Sequence, residues 1–149
     1  MKSIVTGGCG FIGSHMVDRL LAEGHEVVVI DNCSTGRREN LAHHEGDARL
    51  TVIEADICDS ARIMPLFSGA DWVFHFAALA DIVPSIQRPE DYFHANVDGT
   101  FAVLQAAKAA NVKRFLYTAS SSCYGIPDHF PTDEQAEIRP EYPYALTKR

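Results

Sequence analysis

Tyr144 and Lys148 stand four positions apart, and Tyr144 follows the run Ser120-Ser121-Ser122-Cys123-Tyr124-Gly125 by 20 positions counted from Tyr124. Residues four apart on a helix share a face. A lysine ammonium beside a phenol favours the phenolate. A tyrosine so placed removes a proton from a substrate hydroxyl, while a serine hydroxyl holds the substrate oxygen. Tyr-x-x-x-Lys alone is a common accident, so its meaning depends on what accompanies it.

What accompanies it is a glycine-rich turn at the start of the chain, Thr6-Gly7-Gly8-Cys9-Gly10-Phe11-Ile12-Gly13. A short apolar strand precedes it, and a helical pattern through Met16, Val17, Leu20 and Leu21 follows. Strand, glycine turn and helix in that order cradle a dinucleotide pyrophosphate, with the helix N-terminus supplying free N–H groups. Gly7 is expected to turn the chain off the strand, Gly10 to let the phosphates approach, and Gly13 to let the helix pack close to the sheet. The pyrophosphate is expected over Phe11-Ile12.

The next apolar run, Glu26–Ile30, ends on Asp31, 18 positions after Gly13, with Asn32 beside it. A carboxylate there accepts both adenosine ribose hydroxyls and repels a 2′-phosphate, which selects NAD over NADP. Arg37 and Arg38, which could accommodate that phosphate, are expected to be solvated loop charges. Asp56-Ile57 closes the third apolar run, where a carboxylate can accept the adenine amino group and an apolar side chain can pack on the ring. Alone, Asp56 also reads as a turn residue. Ala77 and Ala78 follow the fourth run and leave room for pyrophosphate and ribose. Asn96 and Gly99 are poor mid-helix residues, explained by a polar contact from Asn96, expected among the cofactor-binding residues, and a close approach of helix to sheet at Gly99.

Strands are expected at Lys2–Thr6, Glu26–Ile30, Leu50–Glu54, Trp72–Phe76 and Arg114–Ala119. Helices are expected at Gly10–Ala22, Ser60–Phe67, Tyr92–Ala109 and from about Tyr144. The long helix rests on Phe93, Val97, Phe101, Leu104 and Ala107 at three- and four-residue steps. Strands alternating with helices predict an α/β, Rossmann-type, doubly wound parallel sheet with helices on both faces. Ligands of such a sheet bind at the carboxyl ends of its strands.

A length of 149 residues suits one domain. A net charge of −7 without a basic cluster argues against nucleic acid or an anionic membrane as partner. No apolar run approaches the length of a membrane span. Cys9, Cys33, Cys58 and Cys123 are scattered, which predicts reduced thiols in a cytoplasmic protein rather than a disulfide framework or zinc site. No metal is expected; His43-His44, in a polar stretch with Glu45 and Asp47, reads as a solvated loop.

Together these pieces resemble the extended short-chain dehydrogenase/reductase family, most of all its nucleotide-sugar 4-epimerase and dehydratase branch. The matched segments are Thr6–Gly13, Asp31, Asp56-Ile57, His75–Ala78, Asn96–Thr100, Ser120–Gly125 and Tyr144–Lys148. The resemblance implies NAD as cofactor, a UDP-sugar as substrate, and Ser120, Tyr144 and Lys148 as catalytic residues. Ser121 and Ser122 are close alternatives to Ser120. Tyr144 would take the proton of the sugar 4-hydroxyl as the C4 hydride passes to NAD, and Lys148 would also touch the nicotinamide ribose. In the dehydratase branch an Asp-Glu pair usually follows the catalytic Thr; here those places are Ser121 and Ser122, which favours the epimerase. Family members continue past the lysine into a substrate-binding region. The chain is therefore expected to be an NAD-binding domain over residues 1–149, without that region and a poor catalyst by itself. A non-catalytic NAD-binding fragment is the other reading. The resemblance further implies homodimers in the complete form, paired through Tyr92–Ala109 and the helix at Tyr144.

Overall fold

Alternating side chains along three central strands decide the architecture. The computed structural model describes residues 1–149. Ile4, Val28, Ile30 and Val73 point to one face of the sheet; Val5, Val27, Val29 and Phe74 point to the other. Both sets are buried, so these three strands are covered on both sides, as central parallel strands require. The strands are β1 (Lys2–Thr6), β2 (Glu26–Asp31), β3 (Leu50–Glu54), β4 (Trp72–His75) and β5 (Arg114–Tyr117). All pair in parallel, in the order β3-β2-β1-β4-β5. The order reverses between β1 and β4, and that reversal opens the crevice in which such sheets bind ligands.

The first face packs on α2 (Ser60–Ile63), a following 3-10 turn (Met64–Phe67) and α5 (Gly99–Ala109), through Ile63, Phe67, Ala102, Val103 and Ala106. The second packs on α1 (Phe11–Ala22) through Val17, Leu20 and Leu21, with Leu41 beside them. No helix is long and apolar enough to cross a membrane.

Several expectations need correction. The long helix is three segments: α4 (Pro89–Phe93), a π-helical turn (His94–Asp98) and α5. Pro89 starts it earlier than Tyr92, because proline suits a first helical turn. The wide turn closes with Gly99 N–H donating to His94 O, five residues back. Ser60–Phe67 likewise divides into α2 and its 3-10 turn at Met64-Pro65. Ile82–Gln87 forms a short helix, α3, that no expectation covered. Strands β4 and β5 stop at His75 and Tyr117, so Phe76, Thr118 and Ala119 belong to the loops above the sheet. His43-His44 is not a solvated loop: it ends a 3-10 helix, Arg38–His44, docked on α1.

Candidate active site

A cleft of about 720 Å³ crosses the carboxyl ends of the strands. Its floor is the turn after β1. Gly7 there has φ +70, and a Cβ on it would lie 2.6 Å from Ala77 N, so the two loops flanking the reversal touch backbone to backbone. A Cβ on Gly13 would meet the Gly7 carbonyl oxygen and lie 2.7 Å from Gly8 Cα. The tight contact is thus between α1 and its own turn, rather than between helix and sheet. Gly10 precedes α1 without any side-chain cap, and the first helical bond there runs from Ser14 N to Gly10 O. The N–H groups of Phe11, Ile12 and Gly13 are left at the positive end of the helix dipole.

Gly7, Gly10, Phe11, Ile12, Gly13, Asp31, Asn32, Asp56, Ile57, Ala77 and Ala78 all line this cleft. Asp31 is nearly buried; Oδ2 accepts from Cys9 N at 2.9 Å and Oδ1 from Cys33 N at 2.8 Å. These bonds aim the carboxylate and leave each oxygen a further lone pair. Asp56 accepts from Cys58 N at 2.8 Å and Asn32 Nδ2 at 3.2 Å; the Cys58 bond above all holds its carboxyl below the ordinary range. Ile57 is mostly core. Its side chain is what a Cβ on Gly99 would strike, 2.6 Å from Cδ1. The close approach expected at Gly99 is therefore to the loop after β3, not to the sheet.

Ser120, Tyr144, Lys148 and Asn96 do not line the cleft, whose wall ends at Thr118. Ser120 Oγ accepts from Ser122 N at 3.2 Å and caps a 3-10 turn, Ser121–Tyr124. Helix α6 (Pro143–Thr147) packs against that turn and against α3 and α4, with the Tyr144 ring edge-on to Tyr92 at 6.4 Å. Lys148 follows its last turn and is buried, Nζ standing 4.3 Å from the centre of the Tyr117 ring. Burial lowers its pKa to about 8.

A buried polar chain, foreseen from the sequence only in the polar contact of Asn96, underlies both halves. Thr6 Oγ1 is 2.6 Å from His75 Nδ1, and His75 Nε2 is 2.9 Å from Thr100 Oγ1. Thr100 Oγ1 donates to Asn96 O at 2.6 Å. Its proton committed there, Thr100 accepts from His75, so the imidazole carries its hydrogen on Nε2 and accepts from Thr6. Burial, with Lys148 second, lowers the His75 pKa to about 4, which keeps the ring neutral. Asn96 bonds the backbone of Leu79 at both N (2.8 Å) and O (3.0 Å), and donates to Thr147 Oγ1 at 2.9 Å. A further sign in the sequence was His75, a polar residue ending the otherwise apolar strand Trp72–His75.

The model of the family described as "NAD dependent epimerase/dehydratase family" matches residues 3–149. Curated relatives include a UDP-glucose 4-epimerase of Mycolicibacterium smegmatis, 40% identical over 151 residues, covering 99% of this chain and 48% of that protein. A solved UDP-N-acetylglucosamine 4-epimerase from Methanobrevibacter ruminantium is 38% identical with a TM-score of 0.93, covering 99% of this chain and 46% of its own. A dTDP-glucose 4,6-dehydratase from Streptomyces venezuelae, solved with NAD and TYD bound, is 37% identical with a TM-score of 0.94, covering 99% and 48%. The chain spans about half the length of these relatives. The match takes in the parallel sheet, the glycine turn and the Tyr144–Lys148 segment, and the chain belongs to the NAD dependent epimerase/dehydratase family.

Proposed function

We propose that residues 1–149 form the NAD-binding part of a nucleotide-sugar 4-epimerase acting on a UDP-sugar. The observation that carries this is the cleft itself: it joins the uncapped start of α1, the aimed carboxylate of Asp31 and the small residues Ala77 and Ala78. Pyrophosphate would lie over the Phe11 and Ile12 N–H groups, ribose at Asp31, and adenine by Asp56 and Ile57. NAD, when bound, supplies the hydride acceptor and donor at sugar C4.

The chain's own residues supply the proton chemistry. Tyr144 would take the proton of the 4-hydroxyl, and Ser120 would hold that oxygen. Lys148 would place a positive charge near the phenolate and contact the nicotinamide ribose. Asn96 works from beneath, tying α6 to the loop after β4.

The 4,6-dehydratase reading draws on the Streptomyces neighbour. It is disfavoured because Ser121 and Ser122 stand where that chemistry needs an acid pair. A module that binds NAD without turnover is separated by experiment. Calorimetric titration with NAD, run beside an assay for interconversion of UDP-hexose C4 epimers, tests both steps. Binding without turnover leaves only the cofactor half of the reading; absence of binding ends it.

A homodimer belongs to the same reading. Phe93, Phe101 and Leu104 are 54%, 60% and 46% exposed along one helical face, and Leu146 of α6 is 59% exposed. Apolar exposure on that scale, on the two elements named for pairing, supports a helix-to-helix interface. Phe101→Asp should shift sedimentation to the monomer.

A further inference from the structure

Away from the cleft, three ligating side chains converge between α1 and the 3-10 helix Arg38–His44. His43 Nε2 lies 2.8 Å and His44 Nε2 2.7 Å from the same atom, Asp18 Oδ1. Successive residues of a 3-10 helix point about 120° apart, yet these rings come to 4.1 Å between centres and aim at one point. Asp18 is 25 positions before His43, so the convergence is tertiary. The cluster is graded in exposure, with His44 19%, Asp18 40% and His43 57% open, so a cation could enter from the His43 side.

We propose that Asp18, His43 and His44 form a binding site for a divalent transition-metal ion of the zinc class. Two imidazoles and one carboxylate are a donor set suited to that class, and to neither calcium nor magnesium. Zinc sits ~2.0–2.1 Å from imidazole nitrogen and ~2.0–2.2 Å from carboxylate oxygen, so an opening of roughly half an ångström admits it. Water completes the tetrahedron on the solvent side. The same 3-10 segment is fastened at its other end to the glycine turn, Arg37 N and Asn40 Nδ2 donating to Cys9 O at 2.9 and 2.8 Å. A cation at Asp18 therefore cross-links the segment that leads from the cleft rim at Ser34–Gly36 to the middle of α1.

Titrating the chain with Zn²⁺ by calorimetry, and with Co²⁺ by visible absorption, tests the site. One equivalent should bind, with a cobalt spectrum free of thiolate charge transfer. His43→Ala, whose side chain is mostly exposed, and Asp18→Asn, which keeps the side-chain shape, should each weaken binding at least about tenfold. Circular dichroism confirms that both variants are folded. Zn²⁺ should raise the thermal midpoint of the parent and not of the variants, and slow amide exchange over residues 34–44. Unchanged affinity in both variants, a sulfur-ligated cobalt spectrum, or no saturable binding would each overturn the assignment.

Discussion

The side-chain amide of Asn96 donates to the hydroxyl of Thr147 across 2.9 Å, with both residues buried, and so joins the π turn to the helix that carries Tyr144. Thr147 in turn donates to Tyr144 O at 2.9 Å. These contacts and the edge-on pairing of Tyr144 with Tyr92 dock α6, Pro143–Thr147, on the rest of the fold.

Asn96→Ala should therefore cost roughly 1–3 kcal/mol, since it strands a buried carbonyl, amide and hydroxyl partner together. Urea unfolding measures it. A double-mutant cycle with Thr147→Val should show coupling of at least about 0.5 kcal/mol. Strict additivity would mean that the Asn96–Thr147 bond contributes nothing.

Asp31→Ala should weaken NAD binding and narrow the preference over NADP, because the variant loses the ribose acceptor and the repulsion of a 2′-phosphate. It also leaves the N–H groups of Cys9 and Cys33 without their carboxylate. Calorimetry with both dinucleotides reads the outcome; unchanged NAD affinity would remove Asp31 from the site.

Tyr144→Phe should lower turnover at least about a hundredfold in a form that turns over sugar nucleotide, with NAD affinity unchanged. The ring stays against Tyr92 while the phenol is gone. Retained turnover would assign the proton step elsewhere.

Stability should fall on mild acidification through His75. Its pKa in the fold is about 4 against an ordinary 6.5, so between these values the unfolded chain binds more protons. The contribution is complete above about pH 6.5 and is lost as pH falls toward 4, reaching roughly 3 kcal/mol. Lys148, at about 8 against 10.5, has the same sign in its own window: stability rises as pH climbs from 8 to 10.5. Urea midpoints from about pH 7 to pH 5, for the parent and for His75→Asn, isolate the imidazole. Parallel slopes in the two proteins would remove His75 as the cause.

Gly7→Ala should unfold the turn or abolish cofactor binding. The backbone there is left-handed, and the added methyl would stand 2.6 Å from Ala77 N. Strain of this kind costs of order 1–3 kcal/mol before the clash is counted. Wild-type stability and NAD affinity together would contradict the packing described.

The amino-acid sequence alone determined the layout, because strand and helix periods are local properties. The unbroken apolar runs in Lys2–Thr6 and Glu26–Asp31, Ile4-Val5 and Val27 to Ile30, marked strands buried on both faces. The glycine turn, Asp31 and the Tyr144–Lys148 spacing were legible for the same reason: each is a short run whose chemistry depends on near neighbours. What only tertiary structure decided were meetings between distant residues. Gly99 was legible as a packing position, but not Ile57, 42 positions earlier, as the neighbour that requires it. It marked Asn96 as out of place in a helix, yet could not foretell the π turn or the bond to Thr147, 51 positions on. His75 read as the end of a strand, whereas its neutral state and tautomer follow from Thr6, Thr100 and Lys148 closing around it. His43 and His44 read as solvated for want of a partner, and the partner, Asp18, lies one strand and one helical turn earlier in the chain. Burial and long-range hydrogen bonding arise only when the sheet folds these segments together, and no local pattern encodes them.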